Sequence, residues 1–273
     1  MLDDELLRRA VADWPARTVA VGVTDATQTI ATTGPVTQPF RLASVTKLLV
    51  AMACWVAVEE ETLFLDQSAG PAGSTVRHLL AHASGLAPDA PGPVAAPGTR
   101  RIYSNTGFDV LGDTLHAAAG LSPAEYLHEA VLAPLGCTGA ALRGSPAHAA
   151  VAAVTDLLLV GRELLRPTLV HPDTLRAATT AQFPDLAGVL PGFGRQDPNP
   201  WGLGVELRGH KHPHWTGSAN SPGTFGHFGR AGTFLWVDPA AGLAVAALTD
   251  LDFGPWAAAA WPVLSDAVLA AAR

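Results

Sequence analysis

The segment Ser44-Val45-Thr46-Lys47 has the residue types and the spacing of an activated serine, and an apolar run follows it. Side chains three residues apart on a helix lie on one face, so Lys47 would stand within one turn of Ser44. A lysine held away from water can lose its proton near neutral pH and act as the base for a serine nucleophile. The alternative interpretation is that Ser44 only caps the helix and that Lys47 is solvated.

A second pattern, Tyr103-Ser104-Asn105, follows a loop rich in glycine and proline and precedes a helical segment. The chain has only two tyrosines and three asparagines, so chance seldom produces this combination. The pattern places a phenol and an amide together at the start of a helix. The alternative is that Asn105 caps the helix and that Tyr103 is only a packing residue.

A third pattern, G-H-F-G-R-A-G-T at 226–233, leads directly into a predicted hairpin. Glycines at this density in a strand indicate the close approach of another backbone or of a ligand. His227 would then be a polar or proton-transferring group beside that ligand. The alternative is a bulged edge strand with an incidental histidine.

Periodicity and turn signals predict helices at both ends of the chain and strands next to each of them. The turn sequence D-P-A-A-G joins the last two strands into an antiparallel hairpin. The predicted elements are helices over 2–13, 44–60 and from 254 onward, and strands over 18–24, 27–32, 234–237 and 243–249.

This element order predicts an α/β fold of the α+β type. An antiparallel β-sheet is flanked by the N- and C-terminal helices, and a second, all-helical lobe is inserted between the early and late strands. We assign residues 1–70 plus 184–273 to the sheet lobe and residues 71–183 to the mainly helical lobe. The two lobes are expected to form one structural unit with the active site in the cleft between them.

Composition excludes several classes of function. The chain has 273 residues and is 48% hydrophobic, which is too apolar for a disordered protein. Its net charge of −7 argues against nucleic-acid binding through phosphate contacts. No apolar run approaches the roughly 20 residues of a membrane span, and the opening M-L-D-D-E lacks the features of a signal peptide. We therefore expect a cytoplasmic protein in which Cys54 and Cys137 are buried free thiols.

The three motifs, in this order, resemble the signature of the serine β-lactamases and penicillin-binding proteins. The Tyr-x-Asn form is similar to the class C branch, with its β-lactamase-like esterases and D-amino-acid peptidases. The stretches V-R-H-L-L-A-H-A-S-G-L at 76–86, A-P-L-G-C-T at 133–138 and W-G-L-G-V at 201–205 also fit this branch. The resemblance covers about residues 40–250 and implies the β-lactamase/transpeptidase-like fold.

The resemblance implies a role for each matching residue. Ser44 would be the acylated nucleophile, and Lys47 would be its proton partner. Tyr103 would carry the proton between Ser44, the leaving group and the deacylating water. Asn105 would position the substrate or hold Lys47. The reaction would be a two-step acyl transfer with water as the final acceptor.

On the glycine-rich strand, the resemblance implies that the backbone N–H of Arg230, which follows Gly229, completes an oxyanion hole with the Ser44 N–H. His227 stands where penicillin-recognising enzymes use a lysine, so it provides no permanent cation for a substrate carboxylate. Phe228 replaces the usual small hydroxyl residue and adds apolar bulk. Arg230 follows immediately and is the candidate to restore that cation.

These departures favour a serine hydrolase that acts through a covalent acyl-enzyme on small esters or amides, with a carboxylesterase preferred to a β-lactamase. One alternative is a β-lactamase or a D-stereospecific amidase or peptidase. Another is a catalytically degenerate family member that serves as a binding domain. We expect a small-molecule substrate, no cofactor, no metal and no nucleic-acid partner, and we leave the oligomeric state open.

Two further groups of residues are a histidine-rich segment and three aromatic side chains. The segment H-K-H-P-H at 210–214 invites a metal-binding interpretation because three histidines alternate along it. Its proline and the lack of an adjacent carboxylate or cysteine favour a solvated loop instead. Trp201, Trp215 and Phe228 are expected near the substrate.

Overall fold

The computed structural model of the protein describes residues 1–272, in which strands near both ends enclose a mainly helical middle. The helices are α1 (Asp4–Ala10), α2 (Thr46–Glu59), α3 (Val76–Leu80), α4 (Asn105–Ala119), α5 (Pro123–Leu127), α6 (Ala133–Leu135), α7 (Val154–Leu165), α8 (Pro172–Ala178) and α9 (Pro255–Ala272). The strands are β1 (Val19–Thr24), β2 (Thr29–Thr33), β3 (Phe40–Arg41), β4 (Ala141–Leu142), β5 (Ala150–Ala152), β6 (Gly188–Leu190), β7 (Gly194–Gln196), β8 (Glu206–Leu207), β9 (Phe225–Gly229), β10 (Thr233–Asp238) and β11 (Leu243–Thr249).

The largest sheet is antiparallel and joins the two ends of the chain. Its strand order is β2-β1-β11-β10-β9-β8, so the N-terminal hairpin pairs with the C-terminal hairpin along β1 and β11. Helix α9, which follows the last strand, packs against α1. The predicted antiparallel sheet with flanking terminal helices is therefore confirmed.

Both faces of this sheet are covered, which explains the unbroken apolar runs of its central strands. Along β10, Phe234 and Trp236 pack with α1 and α9, whereas Leu235 and Val237 pack with α2 and α7. Successive side chains of a strand point to opposite faces, so the run F-L-W-V supplies both cores at once.

Helix α7 lies close to the sheet because glycines stand at two contact points. A Cβ atom at Gly22 would be 2.7 Å from Val154 Cγ1, and one at Gly161 would be 2.7 Å from Ala244 Cβ. Helix α7 belongs to residues 71–183, which the sequence assigned to the helical lobe. The division into two lobes at these bounds stays a prediction.

The middle of the chain is not entirely helical, which corrects the expectation of an all-helical lobe. Strands β4 and β5 lie within residues 71–183 and pair with β3 in a small antiparallel sheet. Strands β6 and β7 form a separate hairpin in the part of the chain that was assigned to the sheet lobe. Each of these strands has only two or three residues. Such short strands show no detectable period in the sequence, so their pairing depends on the tertiary fold.

Helix α2 runs through the interior and explains why its sequence lacks a polar face. Every residue from Thr46 to Ala57 is buried, and a helix that is buried all round is apolar all round. Its N-terminal end lies next to β9, which places the predicted catalytic segment beside the glycine-rich strand.

Two expectations about the chain as a whole can be compared with the structure. Cys54 and Cys137 are both buried and free, as predicted. Within residues 1–272 no helix combines the length and the apolarity needed to cross a membrane.

Candidate active site

Ser44 lies on a short 3-10 turn, Ala43–Val45, at the entrance to α2. The residue before it, Ala43, has φ +45°, a left-handed conformation that L-residues avoid and that often occurs at functional sites. Helix α2 has Val45 as its N-cap residue and no side-chain capping bond. The alternative in which Ser44 only caps the helix is therefore wrong.

Lys47 is fully buried and is surrounded by oxygen atoms. Its Nζ atom lies 3.3 Å from Ser44 Oγ, 2.6 Å from Asn105 Oδ1 and 2.8 Å from the Ala147 carbonyl oxygen. An ammonium group has three N–H donors, so these three oxygens satisfy it completely. The alternative of a solvated lysine is wrong as well.

Burial lowers the pKa of Lys47 to about 7, although Asp109 and Asp89 act in the opposite direction. Near neutral pH the neutral amine is therefore well populated. Its two N–H groups can stay on Asn105 Oδ1 and the Ala147 carbonyl, which only accept hydrogen bonds. Ser44 is the one neighbour that can also donate, so the lone pair of the amine is left to face the Ser44 hydroxyl.

Asn105 is held with its oxygen toward Lys47. Its Nδ2 atom donates to Asp89 Oδ1 at 2.6 Å, which fixes the orientation of the amide. The N-cap of α4 is Ser104, whose Oγ accepts from the Gly107 N–H at 2.9 Å. The alternative in which Asn105 caps the helix is wrong, and its side chain is free to bind Lys47.

The Ala147 carbonyl is positioned by a neighbouring loop contact. Ser145 Oγ donates to Asp109 Oδ1 at 2.5 Å and accepts from the Ala147 N–H at 3.1 Å. Asp109 therefore has two effects on Lys47: it orders the loop that holds the lysine, and its charge raises the pKa of the lysine.

Replacing Asp109 with asparagine is expected to move the acid limb of the kcat/KM profile to lower pH. The amide can still accept the Ser145 hydrogen bond, but the charge that raises the pKa of Lys47 is lost. The limb should shift by up to about one pH unit. Asp113→Asn, one turn further along α4 and exposed, is the matched control. A profile for Asp109→Asn that coincides with that of Asp113→Asn would contradict the electrostatic role.

Tyr103 is adjacent to both Ser44 and Lys47. The Lys47 Nζ atom lies 4.7 Å from the centroid of its ring, and the ring packs on His82 at 4.6 Å. Burial raises the pKa of Tyr103, and the nearby Ser44 side chain offsets a smaller part. The hydroxyl is buried and has no hydrogen-bond partner among residues 1–272. Tyr103 is therefore a neutral phenol whose proton is available to a bound molecule.

Strand β9 lies directly against the Ser44 turn at Gly229. A Cβ atom there would be 2.2 Å from the Leu42 carbonyl oxygen and 3.1 Å from Ser44 N, so only glycine allows this approach. Thr233 Oγ1 holds the same carbonyl with a 2.8 Å hydrogen bond. In the described part of the chain, neither the Ser44 N–H nor the Arg230 N–H donates a hydrogen bond. Two unpaired backbone donors thus remain on this edge of the cleft.

His227 is a neutral side chain within β9. Burial, followed by the charge of Lys47, lowers its pKa to about 3. Its Nδ1 atom donates to the Phe228 carbonyl oxygen at 2.7 Å, so Nε2 carries the lone pair, and no group in residues 1–272 pairs with it. Strand β9 pairs with β10 in unbroken register, and with β8 only at Phe225 and Gly226, so the bulge of the alternative interpretation is absent.

These residues open into a cleft of about 860 Å³, a size suited to a small molecule. Trp201 and Phe228 contribute to its wall, whereas Trp215 does not line it, which corrects that expectation. Arg230 lines the cleft with an 89% exposed side chain that reaches toward solvent near Asp252. The other wall residues include Arg100, Ile102, Leu190, Pro191, Arg195, Glu206 and Phe253.

The interpretation of 210–214 as a solvated loop is wrong for two of its residues. Lys211 and His214 are buried and both bind the Glu206 carboxylate, whereas His210 and His212 are exposed. The carboxylate comes from the preceding strand, outside the histidine segment. The three histidines do not converge on a common point.

One contact of the site was not identified from the sequence, the Ala147 carbonyl that binds Lys47. No signal existed for it, because Ala147 contributes only its backbone. His82 lies within the family-like stretch at 76–86, which the resemblance predicts to support the cleft, and it is buried against Tyr103.

The fold is β-lactamase/transpeptidase-like, and Ser44, Lys47 and Tyr103 lie together at its cleft. These two features define the class of protein. The model of the family named Beta-lactamase matches residues 4–269, and the chain belongs to that family of serine hydrolases, in its class C-like form. None of the curated proteins matches the chain.

Solved structures agree with this assignment. A beta-lactamase from Mycobacterium bovis is 50% identical, with a TM-score of 0.96 over 97% of this chain and 99% of that one. Simvastatin synthase from Aspergillus terreus is 19% identical, with a TM-score of 0.82 over 98% and 97%. EstCE1, a hydrolase with promiscuous acyltransferase activity, is 19% identical, with a TM-score of 0.78 over 97% of each chain. The last two share the fold with this chain.

Proposed function

We propose that the protein hydrolyses small esters through an acyl-enzyme on Ser44. The observation that carries the proposal is the fully buried Lys47, whose Nζ atom lies 3.3 Å from Ser44 Oγ. Its pKa is lowered to about 7, so near neutral pH the amine can accept the proton of the Ser44 hydroxyl.

In the acylation step, Ser44 Oγ attacks the ester carbonyl carbon while the neutral Lys47 amine accepts the hydroxyl proton. The carbonyl oxygen becomes an oxyanion between the unpaired N–H groups of Ser44 and Arg230. Collapse of this intermediate breaks the bond between the carbonyl carbon and the alcohol oxygen. The leaving alkoxide takes the Tyr103 proton, which the Lys47 ammonium replaces.

Deacylation reverses these transfers with water as the nucleophile. Water gives a proton to the Tyr103–Lys47 pair as its oxygen attacks the acyl carbon. The second collapse returns that proton to Ser44 Oγ and releases the carboxylic acid. The neutral phenol of Tyr103 suits both steps because it can donate and accept a proton without a net change of charge at the site.

Two side chains of β9 favour an ester over a β-lactam. His227 has a pKa lowered to about 3, so it carries no charge at neutral pH to bind a substrate carboxylate. Phe228 adds an aromatic surface to the cleft wall, where it packs against Phe253 at 5.1 Å. Together they form an apolar wall suited to the hydrocarbon part of an acyl group.

β-Lactam hydrolysis is the second candidate. The relative with 50% identity is named a beta-lactamase, and three exposed arginines of the cleft wall, Arg100, Arg195 and Arg230, could attract an anionic substrate. A cytoplasmic location and a small-molecule partner remain predictions under either candidate.

The decisive experiment treats the purified protein with a fluorophosphonate and then measures turnover of p-nitrophenyl esters and of nitrocefin. Ser44 should be phosphonylated with loss of fluoride, and trypsin should release the adduct on the hexapeptide 42–47, L-A-S-V-T-K. We expect ester turnover to exceed nitrocefin turnover at equal substrate concentration. Faster nitrocefin turnover would favour the β-lactamase, and a folded protein without an adduct would favour the binding domain.

A further inference from the structure

A buried ion pair lies behind the cleft wall. The Glu206 carboxylate binds the Lys211 ammonium and also accepts from His214 Nε2 and Trp215 Nε1, each at 2.9 Å. The side chains of Glu206 and Lys211 are each only 1% exposed. Glu206 is also one of the residues that line the cleft, so the network connects the interior with the candidate active site.

The Glu206 carboxylate stays ionised at neutral pH. Burial alone would raise the pKa of Glu206, but His214 and Lys211 outweigh it and lower that pKa to about 2. Buried ion pairs often contribute no more stability than apolar side chains of the same size, because both charges lose their hydration. Stability alone therefore does not explain the pair, and its contacts suggest a second role.

Lys211 connects the ion pair with Trp201. Its Nζ atom donates to the Pro200 carbonyl oxygen at 2.8 Å and lies 5.8 Å from the centroid of the Trp201 ring. Trp201 also forms a β-bridge with Glu206. The backbone and the ring of Trp201 are therefore both held by members of the pair.

Trp201 in turn contacts the residues that line the reaction centre. Its ring centroid lies 5.7 Å from that of Tyr103, 5.5 Å from that of His227 and 4.6 Å from that of His82. Tyr103 Oη and His227 Nε2 have no hydrogen-bond partner among residues 1–272. Ring packing therefore has a large share in setting where these two polar atoms point.

We propose that Glu206 and Lys211 are positioning residues that hold Trp201 against Tyr103 and His227. By fixing Trp201, the pair sets the position of the Tyr103 hydroxyl relative to Ser44 and so the geometry of proton transfer. This inference rests on the proposed ester hydrolysis and assigns a function to a network that the reaction itself does not use.

The test is the double variant Glu206→Gln, Lys211→Met, which removes both charges of the pair together, so that neither stays buried without the other. We expect kcat for p-nitrophenyl acetate to fall by about 10- to 100-fold, because small displacements of catalytic groups have effects of this size. KM should stay within about threefold, since glutamine keeps the shape of Glu206 and the other wall residues are unchanged. Asp173→Asn, which breaks the exposed pair with Arg176, is the control and should match the wild type.

A double-mutant cycle with Trp201→Phe shows whether the pair acts through that ring. In the Trp201→Phe background, removing the pair should change kcat by less than about threefold. A merely structural role would lower the melting temperature while kcat per labelled Ser44 stayed at the wild-type value. That result would overturn the positioning role. So would a cycle in which the pair variant lowers kcat by the same factor with Trp201 as with Phe at position 201. Wild-type labelling and turnover test the proposed function separately, because the positioning test uses only ratios to the wild type.

Discussion

Replacing Ser44 with alanine is expected to abolish fluorophosphonate labelling and to lower ester turnover at least about 10⁴-fold, as for other serine nucleophiles. The alanine removes the hydroxyl that faces the lone pair of Lys47, and the other hydrogen-bond partners of Lys47, Asn105 and Ala147, cannot form an acyl-enzyme. The fold should be retained, because Ser44 Oγ makes no capping bond to α2. Intact-protein mass spectrometry and stopped-flow ester assays measure both effects.

Ser68→Ala provides the matched control, because this serine is exposed and lies away from the cleft. It should label and turn over at the wild-type rate. A covalent adduct on Ser44→Ala, or a turnover close to that of Ser68→Ala, would show that another residue is the nucleophile.

Replacing Lys47 with methionine is expected to lower kcat/KM by about 10²- to 10⁴-fold, the usual contribution of a general base. In the wild type, kcat/KM should fall as the pH drops below about 7, because the reactive neutral amine is converted to the ammonium. The Lys47→Met variant has no such group, so this acid limb should disappear. Steady-state kinetics across the pH range provide both readouts.

Lys47→Arg separates the loss of the base from the loss of a cation. A guanidinium keeps its proton at every accessible pH, so arginine should not restore the rate even though it restores the charge. Rates for Lys47→Met within tenfold of the wild type, or an acid limb that persists in this variant, would show that the proton from Ser44 goes elsewhere.

The local geometry of the candidate site follows from the sequence. Ser44 lies on the 3-10 turn that leads directly into α2, and Lys47 lies on the first turn of α2. Their spacing of three residues in this continuous helical stretch therefore places their side chains on the same face. In the same way, the turn D-P-A-A-G between two apolar runs predicts the β10–β11 hairpin, which the structure contains. Such features depend on neighbours in the chain, and these are visible in a single sequence.

The chemistry of the same residues depends on the tertiary structure. The pKa of Lys47 falls to about 7 because the folded chain removes water from the whole side chain. One of its three oxygen partners is the Ala147 carbonyl, 100 positions away, and no side-chain type marks such a backbone contact. The alternatives in which Ser44 or Asn105 only caps a helix were likewise excluded by the observed caps, Val45 and Ser104.

The segment 210–214 shows the same distinction. Its composition is that of an exposed loop, yet Lys211 and His214 are buried because strand β8 brings Glu206 to them. Sequence alone thus determined the family, the order of the elements and the residues that stand one helical turn apart. Only the tertiary structure decided which of these side chains are desolvated, which charges meet and which backbone donors stay unpaired, because these properties depend on groups that are distant in the chain and adjacent only in the folded protein.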